Sequence, residues 1–425
     1  SELPSGVQLF SLLKQNPSLI GLIAQIMGSA PRLARILGKR RRVLDAVLAP
    51  GFFGNLPNRE ELRGIVAAEL REAGDVQDAL DRARLVCNEQ AFLIGVRVLT
   101  GSISASQAGG AYAQLAECMI QAMLELVERE MARAHGEVPG GAAVVVAMGK
   151  LGGLEMTAAS DLDLIVIYDF EAEAILSDGA RPLAPTQYFT RLTQRLISAF
   201  TAQTAEGQLY EVDMRLRPSG QKGPVATQLS SFVHYQAGEA WTWEHLALTR
   251  ARVVAGAPKL KVVVEAAIAD ILQRRRDRDK IAADVGSMRA RIEREKGSKD
   301  LWDLKQVRGG LVDLEFIAQY LQLVHAADRP EVLSQNTLRA LRNLAAAGCL
   351  PPAAADALVP AARLLNNLTQ VLRLCQDGPF LPRTAPEGLK LLLARAGDAP
   401  DFARLEAELA ARERTVATLF DELLV

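Results

Sequence analysis

Apolar side chains set the rhythm of this chain. Leu115, Cys118, Met119, Ala122, Met123, Leu126, Val127 and Met131 recur at helical spacing, so they mark one face of an amphipathic helix within a helical stretch reaching to about His135. Pro139 to Gly141 breaks that pattern. The next run, Ala142 to Met148, is short, continuous, valine-rich and bounded by glycines, as a buried strand is. Leu162 to Tyr168 is a second such run. Leu209 to Arg217 alternates instead, with Tyr210, Val212, Met214 and Leu216 on one face and Glu211, Asp213, Arg215 and Arg217 on the other. This predicts a strand with one face in a core and one on a charged cleft. Between the second and third strands lie a Gly- and Pro-containing loop, Ser177 to Pro185, and a helical pattern through Phe189, Leu192, Leu196, Ile197 and Phe200. After about Gly256 the helical period returns to the end, as in Phe402, Leu405, Leu409, Val416, Leu419, Phe420 and Leu423. The expected fold is therefore α+β and mostly helical: a helical region over 1–135, a core with a small sheet over 136–258, and a helical region over 259–425.

The length of 425 residues allows roughly two to three domains, and hydrophobic residues at 49% supply real cores for them. A net charge of −1 leaves no overall positive field to draw the chain to nucleic acid or anionic lipid, so neither is expected as a partner. The apolar opening from Leu9 to Met27 is broken by Lys14, Asn16 and Pro17, and no run is long and apolar enough to cross a bilayer. Cys87, Cys118, Cys349 and Cys375 form no CxxC pair and no ligand spacing with histidine, which suits a reduced, cytoplasmic setting. His135, His234, His245 and His325 lack any triad or metal-ligand pattern. The basic runs Lys39 to Arg42 and Arg274 to Lys280 read as solvated helix faces, and no internal repeat is present.

The chemistry concentrates between Val144 and Asp169. A strand ends in a glycine turn, Gly149 to Gly153, where missing side chains bring backbone N–H groups close to an anion such as phosphate. Asp161 and Asp163, two residues apart at the start of a strand, project from the same face of the sheet and repel one another. A cation between them relieves that repulsion, which is why the spacing suits Mg²⁺. Asp213 supplies a third carboxylate if its strand lies beside that of Asp161, and such a site holds two magnesium ions and the triphosphate they bridge. Taken singly, Asp161 reads as a turn or cap residue, and Asp213 as an ion-pair partner of Arg215 or Arg217.

Gly152-Gly153, Asp161-Leu162-Asp163 and a distant Asp213 resemble the nucleotidyltransferase superfamily related to DNA polymerase beta. Gly149-Lys150-Leu151-Gly152-Gly153 through Ser160-Asp161-Leu162-Asp163-Leu164, and Tyr210 to Gly220, are similar to the signature blocks of glutamine synthetase adenylyltransferases. Trp241-Thr242-Trp243-Glu244, Leu248 to Arg252 and Val307 to Phe316 agree with the same family. The resemblance implies transfer of AMP from ATP to a tyrosine of glutamine synthetase, with release of pyrophosphate and control by glutamine and the PII signal protein. The family's complete protein carries two nucleotidyltransferase copies, one adding AMP and one removing it by phosphorolysis. Glu155 to Ser160 and the loop after Ser177 resemble the adding copy, so the chain is expected to be a C-terminal fragment preceded by a connector.

By the same resemblance Asp161, Asp163 and Asp213 are metal ligands, and Asp213 helps remove the tyrosine proton. Gly152, Gly153, Ser160, Lys150, Arg215 and Arg217 are expected at the nucleotide, with Lys222 a further candidate to neutralise the leaving group. Ser160 either steadies the triphosphate or caps its own turn. Trp241 and Trp243 read as core and helix packing rather than an adenine platform. In the Arg308 to Phe316 block, Leu311, Leu314 and Ile317 form a buried stripe with Asp313 and Glu315 on other faces. The competing readings are a uridylyltransferase acting on a signalling protein, which normally adds a His-Asp phosphohydrolase region absent here, and a non-catalytic nucleotide-sensing scaffold.

Overall fold

The computed structural model describes residues 56–424 together with residues 21, 23, 24, 26–28, 30, 33, 34, 36 and 37. The basic run Lys39 to Arg42, and most of the apolar opening from Leu9, lie outside these residues. From residue 56 onward three helices come first: α1 (Arg59–Arg71), α2 (Val76–Thr100) and α3 (Ala105–His135). Each has a side-chain cap, Asn58, Asp75 and Ser104 respectively, whose oxygen accepts from a first-turn N–H that has no helical partner. The chain then enters a sheet through β1 (Ala142–Ala147), the single turn α4 (Gly149–Gly152), β2 (Leu162–Asp169), α5 (Pro185–Thr201), β3 (Val212–Asp213) and β4 (Ala226–Gln228). Two helices, α6 (Leu229–Gly238) and α7 (Thr242–Leu248), lead to the last strand, β5 (Arg252–Gly256). From there on the described residues are helical: α8 (Pro258–Leu272), α9 (Arg278–Lys296), α10 (Leu311–His325), α11 (Thr337–Ala346), α12 (Pro352–Cys375), α13 (Glu387–Ala396) and α14 (Phe402–Leu423).

The sheet is mixed. β1 lies antiparallel between β2 and β5, while β2 takes β3 and β4 in parallel on its other edge, one after the other. Both faces are covered, which explains why β1 and β2 read as continuous apolar runs. Ala143, Val145, Ala147, Leu164 and Val166 pack with α1–α3 and α5, whereas Val144, Val146, Ile165 and Ile167 join the core of the later helices. Asp161 and Asp163 share the parity of Ile165 and Ile167, so their carboxylates open toward the later helices.

The long strand expected over Leu209 to Arg217 is cut to Val212–Asp213. Asp213 Oδ1 accepts from the Arg215 N–H at 2.8 Å, a local turn that competes with the ladder, and Pro218 follows closely. Two arginines fix the flanks instead. Arg84, wholly buried, donates to the carbonyls of Gly207 (2.7 Å), Ala199 (3.0 Å) and Ala202 (2.7 Å) before the strand. Arg217 does the same after it, to Met214 (2.8 Å), Pro224 (3.1 Å) and Gln221 (3.2 Å). The short strands β4 and β5 had no signal of their own within the expected core.

The Arg308 to Phe316 block is a charged knot among the later helices. Asp313 is fully buried and accepts from Arg289, from Arg308 and from the Gly309 N–H (2.6 Å). Gly309 sits at φ 84° against the backbone of Glu413, where a β-carbon would collide. Glu413 is itself buried, and its Oε1 has no partner among the described residues. Burial, with Asp300 and Asp303 adding to it, pushes its carboxyl up to about 8. An acid that keeps its proton in the fold but loses it when unfolded makes stability fall as pH rises, here from its ordinary value near 4.5 through about 8. Glu413→Gln is therefore expected to raise the thermal midpoint at pH 8.5, by the equivalent of roughly 1–3 kcal/mol, and to do little at pH 5. Melting curves at the two pH values check this; an equal effect at both would show that the charge is not the cause.

Candidate active site

The turn after β1 is built around one close approach. Gly149 has φ 52°, and a β-carbon there would run into the Asp163 carboxylate. Only glycine combines that left-handed backbone with room for the aspartate. Asp163 is drawn up against the turn because the Met148 N–H donates to its carbonyl at 2.9 Å. On the other edge, the parallel register pairs Leu162 with Val212 and Asp163 with Asp213. Asp161 precedes β2 by one residue. One carboxylate oxygen from each of Asp161, Asp163 and Asp213 lies within 4.8 Å of the others. Burial and then the charges of Asp161 and Asp213 push Asp163 up to about 6, against the opposing pull of Lys305 and Arg250. Burial also works on Asp213, but its hydrogen bonds from Arg215 overcome it and hold that carboxyl below its usual range.

Three hard oxygen donors that repel one another fit a divalent cation such as Mg²⁺. They stand at the edge of a cavity of about 780 Å³, a size suited to a nucleotide. Gly149, Lys150 and Ser160 line it on the sheet side. Trp243, Met288, Ile292 and Phe316 give it an apolar wall, from α7, α9 and α10.

The expected nucleotide residues divide. Lys150, Ser160 and Arg215 line the cavity. Ser160 Oγ accepts from the Thr157 N–H at 2.9 Å, so it also caps its own turn. Gly152 and Gly153 do not line it, and their N–H groups are spent within the turn on Met148 and Gly149 carbonyls. Both glycines are needed for packing: a β-carbon on Gly152 would meet the Arg250 carbonyl, and one on Gly153 the Arg250 guanidinium. Arg217 is buried in its loop, and Lys222 lies exposed away from the cavity. Trp241 and Trp243 are not core: they are 71% and 37% exposed, because α7 presents its first turn outward, and Trp243 faces the cavity. The run Arg274 to Lys280 is partly structural, with Arg276 donating to Ile271 (2.7 Å) and Leu272 (2.9 Å) at the end of α8.

Several residues here lie in stretches that resemble the family, yet the sequence alone assigns them no role. Arg250 is buried and paired with Glu155 and, at 3.0 Å, Glu315. Burial disfavours its charge, yet the two carboxylates hold its pKa above the ordinary value. Glu155 further accepts from the Thr337 N–H (2.8 Å), Asn336 Nδ2 donates to Gly153 (3.0 Å), and Gln370 Nε2 to Met156 (2.7 Å). The glycine turn is thus tied to α10, α11 and α12.

Residues 20–267 match the sequence model of the glutamate-ammonia ligase adenylyltransferase family, and residues 286–424 match that of GlnD PII-uridylyltransferase. Among curated proteins, the chain is 50% identical over 419 residues to a bifunctional glutamine synthetase adenylyltransferase/adenylyl-removing enzyme of Bradyrhizobium sp. (strain ORS 278). It is 51% identical over 419 residues to the protein of that name from Rhodopseudomonas palustris (strain HaA2), and 50% over 422 to that of Rhizobium meliloti (strain 1021). Each alignment covers 99% of this chain and 42 to 43% of the relative, so the chain spans less than half the length of the curated relatives it matches. All three clustered carboxylates fall inside the first matched stretch, which takes in more than half of the residues, and the chain belongs to the glutamate-ammonia ligase adenylyltransferase family.

Proposed function

We propose that this chain moves AMP from ATP onto a tyrosine hydroxyl of glutamine synthetase, releasing pyrophosphate, and that the cleft between the sheet and the later helices is the site. The observation that carries this is the convergence of Asp161, Asp163 and Asp213 at the edge of a nucleotide-sized cavity. Their geometry and repulsion support the three carboxylates as ligands of two Mg²⁺ ions, which when bound would neutralise phosphate charge and acidify the phenol. Asp213, whose ionised form Arg215 favours, helps remove the phenolic proton alongside the metal. The phenolic oxygen forms its bond to the α-phosphorus as the bond from that phosphorus to the β-phosphate oxygen breaks. Trp243 and the apolar wall exclude water and supply a surface for a flat ring. The match of residues 286–424 to a uridylyltransferase includes none of the three carboxylates, so it does not favour that chemistry here.

The working division is a helical connector over 1–135, a catalytic core over 136–258 and a helical region over 259–425. It is supported by the sheet falling within Ala142–Gly256 and by the change of family match between 267 and 286. Regulation by glutamine and PII belongs to the same reading, the latter supported by the second family match. So does a cytoplasmic site of action: all four cysteines are free, and no helix among the described residues is long and apolar enough to cross a membrane.

Asp161→Asn, Asp163→Asn and Asp213→Asn should each leave the protein folded and lower AMP transfer by about a thousandfold or more. Mg²⁺ should raise the thermal midpoint of the parent protein and not that of Asp163→Asn, which itself melts no lower because a repelling charge is gone. Near-normal transfer by one of the three would remove that residue from the mechanism. Gly149→Ala should resemble Asp163→Asn in activity, since the methyl group displaces the carboxylate, while also lowering stability by about 1–2 kcal/mol for the left-handed backbone.

Addition and removal of AMP can be separated with this chain alone, because the described residues contain a single carboxylate cluster. Given adenylylated glutamine synthetase, orthophosphate and Mg²⁺, the chain is expected to release no ADP at a rate comparable to its forward transfer. Rapid ADP release would overturn its assignment to the adding half.

A further inference from the structure

We propose that Lys305 and Arg373, from the helical part of the chain beyond the sheet, join Lys150 in a cationic cradle that grips the two outer phosphates of the nucleotide and the pyrophosphate they become. The proposal rests on the nucleotidyl-transfer reading of the cleft.

Six cations line the 780 Å³ cavity. Three are already committed: Arg215 to Asp213, Arg250 to Glu155 and Glu315, and Arg291 to Glu295. The side chains of Lys150, Lys305 and Arg373 have neither an ion pair nor a hydrogen bond among the described residues. They are not scattered. The same three line a second cavity, of about 400 Å³, which Asp300, Asp303, Trp302 and Phe380 also line, so they form the partition between the two spaces. Lys150 feels the others directly: burial first, then Lys305, Arg373 and Arg250, push its ammonium below the usual range, with Glu315 opposing. Lys305 also acts on Asp163, lowering it against burial and the neighbouring aspartates.

Three cations that repel one another, one of them a half-buried lysine, call for an anion of high charge density. A chain of phosphates running from the carboxylates past Lys150 supplies it. Charge builds on the leaving pyrophosphate as the bond to the α-phosphorus breaks, so cations fixed on that side stabilise the transition state more than the bound nucleotide. Lys305 sits in the turn before α10, braced by hydrogen bonds from Leu311 (2.8 Å) and Val312 (3.3 Å) N–H groups to the carbonyls of Leu304 and Lys305, and Arg373 lies in the last turn of α12. Residues distant in sequence from the sheet thus complete the phosphate site.

The test compares Lys305→Ala, Arg373→Ala, and the charge-preserving Lys305→Arg and Arg373→Lys with the parent chain, using ATP, pyrophosphate and AMP. Each alanine variant is expected to weaken product inhibition by pyrophosphate about tenfold, with a comparable fall in kcat/KM for ATP. Inhibition by AMP, which lacks the outer phosphates, is expected to stay as in the parent, the charge-preserving variants to recover most of the loss, and melting to shift little. A role for Arg373 in steadying the end of α12 alone would lower melting without touching pyrophosphate. Unchanged pyrophosphate inhibition in both alanine variants of an active protein, or equal losses for AMP and pyrophosphate, overturns the cradle. A parent chain that neither transfers AMP nor binds pyrophosphate overturns the transfer reading, and the cradle with it.

Discussion

Arg250 is the point on which the site turns. Its guanidinium is buried, and a buried cation is tolerable only when its charge is met. Glu155, from the loop after the glycine turn, and Glu315, from α10, meet that charge at the two terminal nitrogens, Nε keeping no partner among the described residues, and Thr337 and Asn336 at the head of α11 close the network on Glu155 and Gly153. Removing any one partner would leave a charge stranded in a poorly hydrated place, so three distant segments are held in one arrangement. The pair of glycines follows from this. Gly152 and Gly153 lack side chains because the Arg250 backbone and guanidinium occupy the space a β-carbon would need. A motif whose spacing suggests phosphate binding is, at these two positions, a packing requirement of an arginine.

With the turn fixed, the carboxylates are brought together against their own repulsion. The parallel pairing of β2 with β3 sets Asp213 beside Asp163, and Gly149 lets Asp163 press into the turn. Arg84 and Arg217 pin the chain on either side of β3 by donating to main-chain carbonyls, in place of the ladder that two residues of strand cannot provide. The cost of the arrangement shows at Asp163, whose carboxyl is driven up to about 6 by burial and its neighbours. Repulsive clusters of this kind are held by the surrounding structure and become favourable when an ion occupies them.

The sheet divides two cores, and its two faces have different duties. One face packs on the early helices and is purely structural. The other carries Asp161 and Asp163 toward the later helices, which return an apolar wall and unpaired cations. The cleft is therefore a joint product of the two parts of the chain matched by different families. A shift of the later helices relative to the sheet would move Lys305 and Arg373 without touching a carboxylate.

Local pattern determined a good deal of this protein. The valine-rich run after Gly141, the apolar run from Leu162, the helix around Phe189 and the helical return after Gly256 all depend on burial period and breakers, and these act within a few residues. The Asp161–Asp163 pair was legible for the same reason, since a strand puts alternate residues on one face. What only the tertiary structure decided involves partners far along the chain. Leu209 to Arg217 alternates like a strand, yet Arg217 turns inward to carbonyls of its own loop and leaves only Val212 and Asp213 in the sheet. Trp241 and Trp243 look like core residues by type but stand at a rim, because the helix that bears them is covered on its other side. Lys305 and Arg373 carry no motif at all. Their place beside Lys150 comes from how α10 and α12 pack against the other helices around the cleft, and periodicity in a sequence reports which face of a helix is buried, not which distant turn that face will meet.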